Sequence, residues 1–557
     1  MCLLAAWRQG PKTADLDRIE GSVALLVALA LVLRRVVPYR GREDPEFWRA
    51  RPGTYVVGRG FAWTEGTSER LYERLRGPPA YPPRATDDRG DPRLHGLGRE
   101  RLLRLTYAQR SGNTLVLGAP GSGKTFWIGS LIEQDIACGQ CVLVLDPKGD
   151  RELERRMREG AQRHGRPYVY FHLGHPAHSC RFDALSEANR TSEVASRIVR
   201  LLPASEGSSP FVAFSWMVLE AIGEGLRLQG EPITLATLHR HVLERGRTLA
   251  TSLLEKRVQQ RGPFPLLQVN RGRARSSQET QEAWFASLAA AYRRDRSAEP
   301  TIDKILAVAE HDLGHYGKMV ATLLPLLGSL TSGELRGLLS PAEGAADPRP
   351  IWNIDLLCRP GTVAYIGLDT LADPFVGQAV GSLFLGELAA LAARRYTHGR
   401  DGDPVQVYVD EAGETAGTAF IQLLNKGRGS GFHLTLCLQT LSDLAARLGG
   451  EAPARVIVGN TTQLVVFRVR DGFTQRFCSE QFGREDIPVA RVARTTSRGR
   501  DSQGHGHHSG SHSRSVGAER RERIPPDLLG TLPTGHFIAS LAGGQLIKGR
   551  TLSIPTT

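Results

Sequence analysis

The chain has 557 residues, of which 41% are hydrophobic and 23% are charged. This is the composition of an ordinary globular protein, and it excludes a wholly disordered or fibrous chain. The length suggests about three or four domains. The formal net charge of +13 at pH 7 favours a polyanionic partner, either nucleic acid or an anionic membrane surface, without choosing between them.

The seven cysteines do not have the number or spacing of a disulfide framework. We therefore expect the folded domains to occupy a reducing compartment. The one close pair, Cys138 and Cys141, lacks both the second pair of a metal site and the surroundings of a thioredoxin-like redox site. We interpret both cysteines as structural.

An uncharged apolar run covers residues 22–33 and is followed by Arg34 and Arg35. A membrane-spanning helix needs about 20 apolar residues, so this run spans a bilayer only if the two arginines extend to its surface. The positive-inside rule then places the remainder of the chain in the cytoplasm. We interpret residues 1–42 as an N-terminal membrane-anchor segment, and a buried helix of a soluble core is the alternative.

Hydrophobic periodicity divides the rest of the chain into blocks. Residues 43–100 are rich in Arg, Pro and Gly, which predicts a linker region. Residues 101–185 alternate short apolar strands with helical patterns, and strand signals return in residues 346–557. Residues 186–345 between them contain long amphipathic segments, which predict an all-α insertion domain. The predicted fold class is therefore α/β, with one parallel sheet split by a helical insertion.

One low-complexity segment, residues 497–515, consists mostly of Ser, Gly, Arg and His. Its histidines have the chemistry of metal ligands, but the Gly and Ser spacers give them no fixed geometry. We predict a flexible loop here.

Residues 118–125 fit the phosphate-binding loop GxxxxGK[ST], and the motif lies between a predicted strand and a predicted helix, as its mechanism requires. The glycines let successive N–H groups surround a phosphate, and the helix directs its positive end there. We expect Lys124 to reach the β- and γ-phosphates of ATP and the Thr125 hydroxyl to bind Mg²⁺. The predicted nucleotide-binding residues are Gly118, Ala119, Pro120, Gly121, Ser122, Gly123, Lys124 and Thr125.

Asp410 and Glu411 follow a predicted apolar strand, residues 405–409. In this place an aspartate holds Mg²⁺ through water, and a glutamate polarises the attacking water. Asp146 also ends a predicted strand and competes for the metal role, but no glutamate follows it. The long separation between Lys124 and Asp410 again requires an insertion between their strands.

Downstream, Arg428 lies in a Gly-rich segment, and Gln439 follows the next predicted strand. A glutamine just past a neighbouring strand can sense the γ-phosphate. An arginine in an exposed loop can act as a finger toward the nucleotide of a neighbouring subunit. Taken singly, such an arginine is usually an ordinary surface charge.

Several segments together resemble one known family. The phosphate-binding loop, DPKGD, VYVDEAGE, LLNKGRGSGFHLTLCLQTLSDL and GNTTQLVVFRVRD are similar to the TraD/TraG-type coupling proteins of conjugative type IV secretion. More narrowly, GRGFAWTEGTSERLYE, YGKMVATLLPLLGSLTSGELRGLLSP and LPTGHFIASLAGGQLIKGR resemble the conjugative coupling factor TraD of integrative conjugative elements. The resemblance covers most of residues 55–555.

The resemblance implies a RecA-like P-loop ATPase motor domain with an inserted all-α domain and a membrane anchor. It implies a homohexamer at the bacterial inner membrane, with motor domains facing the cytoplasm and with ATP and Mg²⁺ as cofactors. Such a protein recruits relaxase-bound single-stranded DNA and pumps it to the proteins of a type IV secretion channel. Relatives usually carry two spanning helices, whereas one short apolar run is visible here.

The resemblance also implies roles for individual residues. Lys124 and Thr125 would bind nucleotide and Mg²⁺, and Asp410 and Glu411 would form the Walker B pair. The catalytic candidates are Lys124, Asp410, Glu411, Arg428 as the finger and Gln439 as the phosphate sensor. The metal ligands would be Thr125 and Asp410.

Two other functions compete with this hypothesis. One is a soluble HerA/FtsK-like DNA translocase, which the apolar N-terminal run and the conjugative segments disfavour. The other is a docking receptor for secreted proteins that uses nucleotide only as a switch. Glu411 beside Asp410 argues against a pure switch, because a switch does not need fast hydrolysis.

Overall fold

The apolar runs of both predicted α/β blocks form strands, and ten of these strands join an eleven-stranded sheet, whose remaining strand comes from the predicted linker. In this computed structural model the described residues are 53–76, 90–186, 190–202, 209–261, 277–294, 299–341, 347–398, 403–415, 417–500 and 506–552. Residues Tyr55–Thr551 form a single unit by their internal contacts. The strands are β1 Thr54–Ala62, β2 Arg101–Thr106, β3 Thr114–Leu117, β4 Cys141–Asp146, β5 Tyr168–His172, β6 Arg181–Phe182, β7 Ile351–Trp352, β8 Val363–Gly367, β9 Val405–Val409, β10 Phe432–Leu438, β11 Gln463–Val466, β12 Arg484–Arg500, β13 Gly506–Glu522, β14 His536–Ser540 and β15 Leu546–Arg550.

The order of strands in the large sheet is β2-β1-β15-β14-β11-β3-β10-β9-β4-β8-β5. The seven strands from β11 to β5 pair in parallel, and β14 joins them antiparallel through β11. Every residue of β3, β4, β8 and β9 is buried, as expected for parallel strands covered on both faces. The predicted α/β fold class with a parallel sheet is confirmed.

Helices cover the sheet and fill the stretch between β6 and β7. They are α1 Glu65–Arg76, α2 Tyr107–Arg110, α3 Lys124–Ala137, α4 Arg151–Arg163, α5 Thr191–Val199, α6 Ser209–Gln229, α7 Leu235–Leu243, α8 Arg247–Arg261, α9 Ser277–Arg294, α10 Pro300–Ala309, α11 Leu313–Met319, α12 Leu323–Leu330, α13 Leu335–Leu339, α14 Ile354–Leu357, α15 Pro374–His398, α16 Thr418–Lys426, α17 Leu441–Arg447, α18 Glu451–Gly459, α19 Gly472–Phe482 and α20 Pro526–Leu529.

Alternate residues of the central strands enter two separate hydrophobic clusters. Leu115 and Leu117 of β3 belong to one cluster, whereas Val116 belongs to the other, together with Ile128 of α3. This follows from the two-residue period of a strand, which sends successive side chains to opposite faces. The helix that follows the phosphate-binding motif therefore packs on one defined face of the sheet.

Between β6 and β7, every described element is a helix, from α5 to α13. The two short strands pair in parallel, with Arg181 opposite Ile351 and Phe182 opposite Trp352. The chain therefore leaves the α/β part and returns to it at adjacent places, as an insertion requires. The helical content agrees with the sequence; a separate insertion domain bounded by residues 186 and 345 stays a prediction.

A buried ion pair connects α5 to the long core helix α15. Arg197 Nη1 lies 2.5 Å from Glu387 Oε1, and the two residues are 7% and 1% exposed. We expect Arg197→Met to destabilise the protein by about 3–5 kcal/mol, because it leaves a buried carboxylate without its partner. Urea unfolding of the variant measures this loss.

The matched control for this prediction is the double variant Arg197→Met/Glu387→Leu. It removes both charges, so it should lose much less stability than the single variant. Equal losses in the two variants would show that packing, and not the unpaired charge, is responsible.

Two parts of the fold differ from the sequence-based expectation. Residues 43–100 were expected to form a linker, yet β1 joins the sheet and pairs antiparallel with β15. The glycines of β1 obscure its strand pattern in the sequence. The packing requires Gly60, because a Cβ atom there would collide with the carbonyl oxygen of Lys548. The described part of the predicted linker thus contributes to the sheet.

The second difference concerns residues 497–515, which were expected to form a flexible loop. Strands β12 and β13 pair with each other over their full length, from Arg484 opposite Glu522 to Arg500 opposite Gly506. Residues 501–505 lie outside the described residues. The composition misled the prediction because backbone hydrogen bonds between two strands do not require apolar side chains.

The predicted anchor run, residues 22–33, lies outside the described residues. Within the described part of the chain, one helix is long and apolar enough to cross a membrane, at Pro374–Thr397 with a mean hydropathy of 1.5. In that helix 67% of the apolar window is buried inside the fold. The core helix of a soluble protein passes the same test, so we assign no membrane span to it.

Candidate functional site

The predicted site residues gather where the parallel strands end. In a parallel sheet the carboxyl ends of neighbouring strands meet at one edge, and here β3, β10, β9 and β4 are consecutive neighbours. A cleft of about 490 Å³ opens at this edge. It is lined by Ala119, Pro120, Gly121, Ser122, Gly123, Lys124, Thr125, Phe126, Lys148, Asp150, Asp410 and Glu411.

The loop after β3 has the backbone shape that its glycines permit. Gly121 and Gly123 adopt φ values of +69° and +105°, a region that glycine enters without the steric cost of a Cβ atom. Helix α3 begins directly afterwards at Lys124. The first N–H groups of a helix have no helical acceptors, so this loop and helix present donors to the cleft and fit a phosphate group.

Lys124 is 6% exposed and its ammonium group is directed at the loop itself. The Nζ atom donates to the carbonyl oxygen of Gly118 and lies 3.3 Å from that of Ala119. Burial lowers the pKa of Lys124 below its ordinary value. Lys124 lies in the wall of the cleft. An anionic ligand there would stabilise its charged form.

Asp410 follows β9 and is 6% exposed. Its Oδ2 atom lies 3.4 Å from the hydroxyl oxygen of Thr125. Burial, followed by the nearby carboxylates of Asp146 and Glu411, raises the pKa of Asp410 to about 6. These hydroxyl and carboxylate oxygens have the chemistry that Mg²⁺ prefers, and a cation beside them would relieve the crowding of negative charge.

Magnesium is usually held by one or two carboxylates together with water and substrate phosphates. Among the described residues no group of three or more His, Cys, Asp or Glu side chains is placed to hold a metal ion. The hydroxyl of Thr125 and the carboxylate of Asp410 fit a metal whose other ligands are water and substrate phosphates.

The carboxylate of Asp146, the alternative metal ligand, already accepts hydrogen bonds from the turn that follows β4. Its Oδ1 atom accepts hydrogen bonds from the N–H groups of Lys148 and Gly149 at 2.9 and 3.1 Å. Its Oδ2 atom accepts from the N–H group of Asp150 at 2.6 Å and from the Tyr365 hydroxyl at 2.7 Å. This geometry favours Asp410 for the metal and gives Asp146 the task of holding the turn after β4.

Glu411 lies at the mouth of the cleft and contacts two side chains. Lys148 Nζ lies 2.6 Å from Glu411 Oε1, and Gln439 Nε2 lies 2.9 Å from the same oxygen. Gln439 thus contacts a residue that lines the cleft, as its place after β10 predicts. Lys148 is not among the site residues predicted from the sequence, although it is the central residue of the DPKGD segment.

Arg428 is the one predicted site residue that lies elsewhere. It begins a short 3₁₀ turn, Arg428–Ser430, and its side chain is exposed. This turn precedes β10, whereas Gln439 follows it, so the two residues lie at opposite ends of a strand about 20 Å long. Arg428 therefore cannot reach the cleft of its own chain.

Comparison with known proteins gives matches in sequence and in fold. Residues 404–534 match the family model described as the TraM recognition site of TraD and TraG. A search of curated proteins finds no match. The solved structures similar to this chain include the bacterial conjugative coupling protein TrwBdeltaN70 in its unbound monoclinic form, with 15% identity, 80% of this chain and 86% of that chain covered, and a TM-score of 0.50.

Two further solved structures have lower TM-scores. The plasmid coupling protein TrwB in complex with ADP and Mg²⁺ has 14% identity and a TM-score of 0.48, with 81% of this chain and 87% of that chain covered. VirB4 of Thermoanaerobacter pseudethanolicus has 14% identity and a TM-score of 0.44, with 82% and 94% covered. At such identities a likeness concerns the fold alone, and the narrower TraD subgroup stays a prediction. The C-terminal match and the shared coupling-protein fold confirm the resemblance of this chain to the TraD/TraG-type coupling proteins.

Proposed function

We propose that this chain is an ATP-driven coupling protein that recruits relaxase-bound single-stranded DNA and pumps it to a type IV secretion channel during conjugative transfer. The observation that carries the proposal is the cleft itself. It brings Lys124 and Thr125 together with Asp410 and Glu411 from distant parts of the sequence. This is the combination that nucleotide hydrolysis requires.

The residues of the cleft divide the chemistry among them. The N–H groups of the loop and of α3 bind the phosphates, and the Lys124 ammonium group moves from the loop carbonyls to the β/γ-phosphate oxygens. Thr125 and Asp410 hold Mg²⁺, which neutralises charge on the phosphates when it is bound. Glu411 orients and polarises the attacking water, and Gln439 contacts the γ-phosphate.

The partners follow from the family resemblance and from charge. The match to a TraM recognition region supports contact with relaxosome proteins, and the net charge of +13 supports binding of DNA. The sequence also contains a basic cluster of Lys256, Arg257, Arg261, Arg271, Arg273 and Arg275. Its first three residues lie on α8, whereas residues 262–276 lie outside the described part. We further propose a homohexamer anchored in the bacterial inner membrane, with its motor domains in the cytoplasm.

The test of this function is ATP turnover by the full-length protein, with and without single-stranded DNA. We expect DNA of any sequence to accelerate hydrolysis, because backbone contacts dominate such binding. The apparent DNA affinity should fall as salt rises, with a slope of about −0.7 per phosphate contact in a plot of log K against log salt.

Lys124→Ala is the control for contaminating ATPases, and its preparation should show no DNA-dependent activity. Turnover that ignores DNA, with nucleotide-dependent binding of secreted proteins, would favour the docking receptor instead. DNA binding that is indifferent to added salt would contradict the electrostatic mode of binding.

A further inference from the structure

We propose that Lys148 is a positioning residue, which holds the Glu411 carboxylate in place for catalysis. The inference rests on the proposed ATP hydrolysis and adds to it a residue from a different strand connection. Lys148 belongs to the turn after β4, whereas Glu411 follows β9. The two strands are hydrogen-bonded neighbours, so the turns after them meet at the cleft.

The backbone that carries Lys148 is fixed at both ends of its turn. Asp146 is 1% exposed and accepts hydrogen bonds from the N–H groups of the three residues Lys148, Gly149 and Asp150. Asp150 in turn accepts from the N–H groups of Glu152 and Leu153 and caps the start of α4. The backbone of Lys148 is therefore held in a fixed position. A residue that orients another side chain needs such a backbone.

Glu411 has a backbone that needs support from outside. Its φ and ψ angles are 45° and 51°, a left-handed conformation that is strained for a residue other than glycine. Such strain persists at functional sites where surrounding contacts over-determine the conformation. The 2.6 Å contact with Lys148 and the 2.9 Å contact with Gln439 supply that restraint on the side chain.

Both contacts use the same carboxylate oxygen, Oε1. Neither of these hydrogen bonds uses Oε2. A general base must lie within hydrogen-bond reach of the water it activates, and this requirement comes before the requirement for a suitable pKa. The clamp of Lys148 and Gln439 therefore fixes one oxygen and leaves the other for the attacking water.

The ion pair of Lys148 and Glu411 is too exposed to contribute much to the stability of the fold. The Lys148 side chain is 45% exposed and that of Glu411 is 16% exposed. Ion pairs in contact with solvent contribute little to stability. Loss of the Lys148 charge should therefore leave the fold intact and change turnover.

We test the inference with Lys148→Met, which keeps most of the length of the side chain and removes its charged end. We expect kcat to fall about tenfold or more, because a poorly oriented Glu411 carboxylate keeps only part of the contribution of about 10²–10⁴-fold that a general base makes. The KM for ATP should change less than about twofold, because the substrate contacts remain. Lys148→Arg should restore most of the rate, and Lys318→Met on the exposed surface of α11 is the matched control.

The partner of Lys148 is identified in the Glu411→Gln background. If Lys148 acts through Glu411, Lys148→Met should slow that variant no further. A raised KM with unchanged kcat would overturn the inference and show that Lys148 binds the nucleotide directly. An increased kcat would also overturn it, because the lysine would then hold Glu411 away from its catalytic position.

The inference and the proposed function fail in different ways. Normal turnover by Lys148→Met beside an inactive Glu411→Gln would overturn only the role of Lys148. Normal turnover by Glu411→Gln would overturn the catalytic assignment on which the inference rests. Thermal unfolding midpoints equal to that of the wild type show that each variant is folded.

Discussion

Replacing Lys124 by alanine is expected to abolish ATP turnover. The substitution removes the ammonium group that the loop after β3 holds at the cleft wall, and with it the charge proposed to meet the β- and γ-phosphates. Glu411→Gln should behave differently, because it keeps the phosphate-binding groups and removes only the base. It should bind ATP with near wild-type affinity and hydrolyse it about 10²-fold or more slowly.

Binding of a fluorescent ATP analogue and single-turnover hydrolysis separate the two effects. Circular dichroism of both variants controls for folding, since Lys124 is buried. Normal hydrolysis by Glu411→Gln would show that another residue orients the attacking water.

The second large effect is expected from Arg428→Ala. Within one chain Arg428 lies at the opposite end of β10 from the cleft, so any action on a nucleotide must be on that of a neighbouring subunit. A guanidinium group supplied between subunits is worth on the order of 10³-fold or more in rate. The variant should therefore bind ATP normally and hydrolyse almost none. Arg455→Ala, at another exposed arginine, is the matched control.

Mixing Arg428→Ala with Lys124→Ala tests whether the arginine acts between subunits. Some interfaces in a mixed oligomer pair an intact phosphate-binding loop with an intact neighbouring arginine, so part of the activity should return. If mixed oligomers form and no activity returns, Arg428 is an ordinary surface charge.

The sequence was sufficient for the features that depend on local patterns. The apolar strand before Gly118, the glycines of the loop and the helix from Lys124 are adjacent in the chain, and the structure places them as predicted. Asp410 and Gln439 could be anticipated because residues that follow parallel strands share one edge of the sheet. Their catalytic roles stay predictions.

Other features depend on contacts between distant segments, which no local pattern reveals. The pairing of Lys148 with Glu411 requires β4 and β9 to be neighbours in the sheet. The sequences of these two strands do not reveal that they are neighbours. The same holds for β1, whose glycines are explained only by its close approach to β15. The distance of Arg428 from the cleft likewise follows from the direction of β10 in the sheet.

The place of β3 in the sheet has a consequence for synthesis on the ribosome. Leu115 of β3 pairs with Leu436 of β10 on one side and with Leu464 of β11 on the other. At about 5–20 residues per second, the nascent chain waits on the order of tens of seconds between making β3 and making both its neighbours. During this time a strand that is fully buried in the finished sheet has two open edges, which chaperones must protect from aggregation. A chain that stops before β11 therefore lacks one of the two strands that pair with β3, although every residue of the phosphate-binding motif has been made.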